Sequence, residues 1–401
     1  MRRTVTTTES NRRRVTILGS TGSVGTQAVD LIAAHPDRFQ VTAICAAGSD
    51  VAALAMQAAR LEVPVIGIAD PTKASELDHR CKEIYPRHVA QPFIVTGGGA
   101  ASELAELETD VVLNAIDGAQ ALRPTVAALD AGHLVALANK ESLVAGGSFV
   151  TGRARPGQII PVDSEHSALA QCLGGGTRQE VERLILTASG GPFRGKNRNA
   201  LAGVTAEQAL VHPTWNMGRV ITTNSATLMN KGLELIEAHL LFGIDYAQID
   251  TVIHPESHIH SMVQFVDGAV LAQLSTPDMR LPIALALNWP SRLPGAVTAV
   301  DWSTSHRWNF EPVDHDTFPA VRLAKTAGTA GGCAAAVLNA ANEHLVEAFH
   351  EGRIGFLDIV DKVGDTLHTW LHTHHDGAPP ADIEEIDRAQ SWAHLHAEQL
   401  I

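Results

Sequence analysis

The sequence predicts an α/β protein: a doubly wound, mostly parallel sheet in its N-terminal part, an α+β middle portion and a helical C-terminal region. Three observations carry that expectation. Short apolar runs alternate with Ala-rich amphipathic stretches: Val15 to Gly19, Phe39 to Cys45, Val63 to Ile68, Val111 to Ile116 and Leu134 to Leu137 read as buried strands, with Val51 to Arg60 and Pro124 to Ala131 among the helices between them. A glycine-punctuated turn follows the first of these strands. From Ala320 onward the pattern is helical, including Cys333 to Phe349.

Composition limits what such a chain does. At 401 residues it exceeds one ordinary core, and 45% hydrophobic with 18% charged residues marks a soluble, globular protein. No apolar run is long enough to span a membrane, and Met1 to Arg14, with Arg2, Arg3, Arg12, Arg13 and Arg14, lacks the apolar core of a secretory signal, so a short disordered basic arm is expected there. With 30 basic against 44 acidic residues the net charge is −14, which argues against a nucleic-acid-binding surface. Cys45, Cys81, Cys172 and Cys333 form no CxxC pair, and a reducing cytoplasm fits them best.

The first strand runs into Gly19-Ser20-Thr21-Gly22-Ser23-Val24-Gly25, and Thr26 to Ala34 has helical character. Strand, glycine turn and helix form the dinucleotide-binding arrangement, in which glycines admit a pyrophosphate and the helix N-terminus stabilises its charge. The spacing is GxxGxxG rather than the commoner GxGxxG, so a simple tight turn is the competing reading. The second strand ends in Ala46-Ala47-Gly48-Ser49; Asp50 comes late for a ribose contact, and the small residues before it leave room for a 2′-phosphate, favouring NADPH over NADH. No arginine stands there to clamp that phosphate. The strand Leu134 to Leu137 leads into Ala138-Asn139-Lys140-Glu141-Ser142. Lys140 thus lies at the carboxyl end of a parallel strand, where such sheets bind ligands, or is a surface lysine at a helix start.

Next comes Pro161-Val162-Asp163-Ser164-Glu165-His166. On an extended segment Asp163 and Glu165 would point to one side, where a hard cation such as Mg²⁺ or Mn²⁺ bridges them; the alternative is helix capping with dipole complementarity. Val181 to Leu186 reads as a strand entering Thr187-Ala188-Ser189-Gly190-Gly191-Pro192-Phe193, and the chain to Gly218 is rich in Gly, Asn, Pro and Arg. An irregular segment of that length carrying Trp215 and Met217 reads as a lid over something apolar, with His212 a structural histidine on its own evidence. In the helix that follows, with Ser225 as a candidate cap, Asn230 and Glu234 share a face and Lys231 adjoins it. This is either a solvated face or a site: Ser225, Asn230 and Lys231 are the hydroxyl, amide and ammonium set that holds a phosphate monoester, and Glu234 is placed to give a metal its third carboxylate. Thr251 to Phe265, with His258 and His260, reads as strand and interface, and Asp301 to Pro319 as a linker with aromatic anchors.

GSTGSVG, ANKESLV, PVDSEH, TASGGPF, HPTWNMG, NSATLMNKGLE and HPESHIHSMV, in this order, closely resemble the 1-deoxy-D-xylulose 5-phosphate reductoisomerase family, from about Val15 into the C-terminal helices. The resemblance implies a Rossmann-like NADPH domain, an α+β catalytic domain with a mobile lid and a C-terminal helical domain. The expected division is an arm at 1–14, the NADPH domain at 15–162, the catalytic domain at 163–298 with its lid at about 190–218, a linker at 299–323 and helices at 324–401. It implies metal ligands at Asp163, Glu165 and Glu234, for Mg²⁺ or Mn²⁺ with Co²⁺ as a further candidate. A substrate lysine is implied at Lys140, and phosphate and hydroxyl contacts at Ser164, Ser189, Ser225, Asn230 and Lys231. His212 reaches in from the lid, Trp215 and Met217 cover the substrate, and Gly218 lies near the nicotinamide. Cofactor contacts fall on Thr21, Gly22, Ser23, Val24, Gly48, Ser49, Asn139 and Glu141. Asn224 departs from the acidic residue many members carry before Ser-Ala-Thr.

The implied activity is NADPH-dependent rearrangement and reduction of 1-deoxy-D-xylulose 5-phosphate to 2-C-methyl-D-erythritol 4-phosphate by a cytoplasmic homodimer, acting on a small sugar phosphate with no nucleic-acid or membrane partner. The competing readings are an NADP-dependent dehydrogenase of the homoserine or semialdehyde type and a non-catalytic sugar-phosphate sensor.

Overall fold

A computed structural model describes residues 12–214 and 218–401. Most of the basic arm, and Trp215 and Met217 of the expected lid, lie outside the described residues.

Seven strands form the first sheet: β1 (Arg13–Leu18), β2 (Phe39–Ala46), β3 (Val65–Ile68), β4 (Phe93–Thr96), β5 (Val111–Asn114), β6 (Leu134–Leu137) and β7 (Ile159–Pro161). Their order is β4-β3-β2-β1-β5-β6-β7, and every pair is parallel. The order reverses between β1 and β5, which makes their carboxyl ends the switch point where doubly wound sheets bind ligands. Side chains alternate across β1: Val15 and Ile17 enter the core on one face of the sheet and Leu18 the core on the other. Arg13 and Arg14 already belong to β1, two residues ahead of the expected start; Arg14 is held by Asp110 and Glu108.

The second sheet contains β8 (Val181–Ala188), β9 (Ile249–Ile253), β10 (Ile259–Phe265), β11 (Val270–Leu274) and β12 (Glu311–Pro312) in the order β11-β10-β8-β9-β12. It is mixed: β8 and β9 run parallel, and the other pairs are antiparallel. The histidine-rich run expected as one strand is two, β9 and β10, separated by a turn that places Ser257 at φ 54°. Of these two, β10 lies inside the sheet between β8 and β11. The linker expected at 299–323 contributes β12, and helix begins at Ala320, where the sequence pattern turns helical.

Helices Ala320–Ala330, Ala334–His350, Phe356–Thr373 and Ile383–Gln399 complete the C-terminal region. Its core is continuous with that under the second sheet and one face of the first: Leu338, Leu345 and Phe349 belong to the same apolar cluster as Leu143, Leu184 and Leu233. Helix Arg280–Asn288 crosses back instead, and its Ile283, Ala284 and Leu287 join the core on the opposite face of the first sheet beside Val29 and Ile32. The second half of the chain is therefore tied to the first from both faces. No helix among the described residues is long and apolar enough to cross a membrane.

Candidate active site

The site forms where the first sheet hands over to the second. Helix Ser164–Leu173 follows β7, and Asp163 occupies its N-cap, yet the Asp163 side chain makes no capping hydrogen bond. The carboxylate is therefore not spent on capping. It is turned toward Lys140, the first residue of helix Lys140–Thr151 after β6, and pairs with its ammonium. The pairing of Asp163 with Glu165 comes from an N-cap and the first helical turn rather than from an extended segment.

Glu234 arrives from helix Met229–Phe242 and is 1% exposed, so its charge has to be met inside the protein. Lys231, one turn earlier, contacts it and also reaches Glu165 Oε1 at 2.9 Å; Lys140 Nζ lies 3.3 Å from Glu234 Oε1. Asn230 donates from Nδ2 to the same Glu234 oxygen, as the shared helical face predicts. Burial acts to raise the Glu165 carboxyl, but the ammonium groups of Lys231 and Lys140 outweigh it and hold it at about 2. Burial likewise acts to lower both lysines, and the surrounding carboxylates keep them above their ordinary value.

Asp163, Glu165 and Glu234 each offer a carboxylate oxygen, all within 4.8 Å of one another. An all-oxygen, anionic donor set of this size fits a hard divalent cation such as Mg²⁺ or Mn²⁺. A second group, Asp163 with His166 and Glu237, meets the same distance limit and was not singled out in the sequence. Its signal was there: His166 follows Asp163 by three, and Glu237 follows Glu234 by three on one helical face. His166 Nε2 meets the Glu234 carbonyl at 2.8 Å, and burial pushes its imidazole down to about 3.

Ser189, Ser225, Asn230 and Lys231 are the residues expected to hold a phosphate. Ser225 was expected to cap a helix; instead it lies inside helix Arg219–Thr227, whose N-cap is Gly218. Leu228, in the left-handed region at φ 62°, ends that helix and opens the next, so the chain turns sharply between Ser225 and Asn230–Lys231. Ser189 Oγ lies 3.1 Å from His212 Nε2 and accepts the Gly191 N–H at 3.2 Å, joining the turn after β8 to the far end of the expected lid segment. Ser164 Oγ donates to Glu165 Oε2 at 2.6 Å.

At the cofactor end, Gly22 is the N-cap of helix Ser23–Ala33 and no side chain closes that helix, which leaves the N–H groups of its first turn to an anion. A Cβ on Gly25 would lie 2.2 Å from the Gly19 carbonyl oxygen, so only glycine lets this helix approach the turn so closely. Thr21, Gly22, Ser23 and Val24 line this corner at the switch point, and Gly48 and Ser49 follow β2 beside it. Asp50 is used as the cap of helix Val51–Arg60, accepting the Ala53 N–H at 2.8 Å. Asn139 caps helix Lys140–Thr151 through the Ser142 N–H and donates to the Ile116 carbonyl at 2.7 Å and to Glu141 at 2.6 Å, tying the ends of β5 and β6 together.

Three family models match the chain: 1-deoxy-D-xylulose 5-phosphate reductoisomerase over residues 15–147, and its C-terminal domain models over 159–242 and 274–396. The 1-deoxy-D-xylulose 5-phosphate reductoisomerase of Cutibacterium acnes is 53% identical over 400 residues, 97% of this chain and 98% of its own. That of Mycolicibacterium smegmatis is 54% identical over 395 residues, 98% of this chain and 95% of its own. The chain belongs to the 1-deoxy-D-xylulose 5-phosphate reductoisomerase family. A reductoisomerase from Zymomonas mobilis, solved in complex with NADPH, superposes with a TM-score of 0.88 at 40% identity, covering 97% of this chain and 99% of that one. A DOX-P reductoisomerase solved with NADPH, fosmidomycin and magnesium also gives 0.88, at 36% identity over 96% and 98% of the two chains. The reductoisomerase fold, with its parallel sheet, second sheet and helical C-terminal region, is thus the fold of this chain.

Proposed function

We propose that this site converts 1-deoxy-D-xylulose 5-phosphate to 2-C-methyl-D-erythritol 4-phosphate with NADPH, in the non-mevalonate route to isoprenoid precursors. The observation that carries the proposal is the convergence of three carboxylates and two buried ammonium groups beside the switch point of a dinucleotide-type sheet. A divalent cation, when bound, polarises the substrate ketone and makes its hydroxyl easier to deprotonate. Asp163, Glu165 and Glu234 hold that cation. Lys140, anchored between Asp163 and Glu234, meets the substrate oxygens from the cofactor side. Ser189, Ser225, Asn230 and Lys231 take the phosphate, with Ser164 and His212 completing the polar wall. The turn Thr21 to Val24 takes the NADPH pyrophosphate, Gly48 and Ser49 its adenosine end, and Asn139, Glu141 and Gly218 its nicotinamide end.

The same reading includes the domain division given above, a cytoplasmic location and a homodimer. Supporting the last, edge strand β11 exposes Val270 and Leu271, and Val266 beside it is exposed too. Light scattering coupled to size exclusion tests it; a monomer at assay concentration removes it.

Product analysis tests the activity. Incubation with 1-deoxy-D-xylulose 5-phosphate, NADPH and Mg²⁺ should yield the branched polyol phosphate, and excess EDTA should stop it. EDTA-insensitive NADPH oxidation without that product would point instead to a plain NADP-dependent dehydrogenase, and tight sugar-phosphate binding without turnover to a sensor.

A further inference from the structure

The helix that carries Ser225 touches the active site on one side only. On the active-site side it is packed against the turn after β8: Gly191 sits at φ 65°, and a Cβ there would come 2.6 Å from the Ser225 carbonyl oxygen. On its other side it is held by the C-terminal helix Ala334–His350 through three polar contacts. Asn342 Nδ2 donates to Asn224 Oδ1 at 2.9 Å, His350 Nε2 lies 2.8 Å from Thr223 Oγ1, and Arg219 Nη2 lies 2.7 Å from Glu347 Oε1.

These contacts differ in weight. Arg219 and Glu347 have half-exposed side chains, and an ion pair in that position holds little. Asn224 and Asn342 are buried, with Asn342 fully so, and a buried amide pair that loses one member leaves the other desolvated and unpaired. The sequence explains none of this, because Asn224 and Asn342 are 118 residues apart and neither belongs to a ligand pattern.

We propose that Asn342, through Asn224, is a positioning residue for the phosphate subsite. The C-terminal helix acts as a backboard: it presses helix Arg219–Thr227 onto the Gly190–Gly191 turn and so sets the distance between Ser225 and Ser189. Leu228 transmits that placement to Asn230 and Lys231, because its left-handed joint is the direct connection between the two helices. The C-terminal region therefore contributes to substrate binding without touching substrate. Thr223, itself buried and in contact with the half-buried His350, gives the backboard its second contact.

The proposal rests on the reading of Ser189, Ser225, Asn230 and Lys231 as the phosphate set. Its test is steady-state kinetics on the full chain at saturating Mg²⁺, with inorganic phosphate as a competitive probe of the subsite. Asn342→Leu and Asn224→Leu should raise both the KM for 1-deoxy-D-xylulose 5-phosphate and the Ki for phosphate about tenfold, with kcat and the KM for NADPH within about twofold of the parent. Asn224→Asp keeps the acceptor that Asn342 needs and should retain parent values. A parent-like phosphate Ki in both leucine variants overturns the proposal, as does a uniform change in kcat and both KM values that tracks lost thermal stability. If a leucine variant does not fold, Thr223→Val removes the hydroxyl that meets His350 and the Arg219 carbonyl, and an unchanged phosphate Ki there overturns the backboard equally. Lys231→Ala separates the two levels: an unchanged Ki in that variant sinks the phosphate set itself, whereas a weakened Lys231→Ala beside a parent-like Asn342→Leu sinks the positioning role alone.

Discussion

Lys140 places its ammonium on the carboxylate of Asp163, 23 residues later in the chain, while lying 3.3 Å from Glu234 Oε1. Lys140 leaves β6 and Asp163 follows β7, neighbouring strands of the cofactor sheet, whereas Glu234 comes from the helix packed beside the second sheet. One ammonium thus joins the two halves of the site. Its charge is retained in the interior because carboxylates on both sides offset the cost of burial.

Removing that charge should leave two buried carboxylates facing each other. Lys140→Met is expected to destabilise the protein by about 3 kcal/mol in EDTA, with much of the loss recovered in excess Mg²⁺. Urea unfolding under the two conditions measures it; equal losses would show that Lys140 does not share its carboxylates with the cation.

The proposed metal ligands make a sharper demand. Asp163→Asn and Glu234→Gln keep shape and remove charge, and each should lower kcat/KM by about 100-fold or more while raising the Mg²⁺ concentration for half-activation. NADPH oxidation across a Mg²⁺ titration is the measurement, and activity within about threefold of the parent would refute the ligand assignment.

Gly191 is constrained twice, by φ 65° and by the Ser225 carbonyl oxygen 2.6 Å from where a Cβ would lie. Gly191→Ala should cost about 1–2 kcal/mol in backbone strain alone and push helix Arg219–Thr227 outward. The expected result is a lower melting temperature together with a KM for the sugar phosphate raised about tenfold. A melting change with no KM change would separate the turn from the subsite.

Glu343 gives a pH signature away from the proposed metal ligands. Burial, assisted by Glu141 and opposed by a hydrogen bond from Asn339, pushes its carboxyl from 4.5 up to about 7. Between those values the folded protein holds a proton that the unfolded chain has released, so this group's contribution to stability falls as pH rises from 4.5 to about 7. Glu343→Gln keeps the acceptor for Asn339 and should raise stability by about 1–2 kcal/mol near pH 8, with little effect near pH 4. Urea midpoints at the two pH values check both sign and size.

Much of the fold was legible because its signals are local. Apolar runs marked β1, β2, β3, β5, β6 and β8 to within a few residues, and the glycine turn marked the switch-point helix. Four strands were missed, and their signals are weak: Phe93–Thr96 is an edge strand with both end residues exposed, Ile159–Pro161 is only three residues long, Val270–Leu274 is a largely exposed edge strand and Glu311–Pro312 has two residues. The helical face shared by Asn230 and Glu234 was readable for the same reason, since both residues lie within one turn. Capping by Ser225 was a local inference that failed, because the helix already begins at Arg219.

The sequence by itself determined the alternation of strand and helix, the anion-binding turn, and which carboxylates, hydroxyls and amines were available to a site. It left open whether Asp163 was a cap or a ligand, because both uses require the same residue at the same position. The tertiary structure added what spacing lacks: it turns the Asp163 carboxylate to Lys140 and brings Lys231 to Glu165 and Glu234. It also decided that Asn342, from the far end of the chain, supports the Ser225 helix. Buried charges and amides are tolerated only where partners from other segments meet them, and those meetings depend on how the sheets and helices pack rather than on any local spacing.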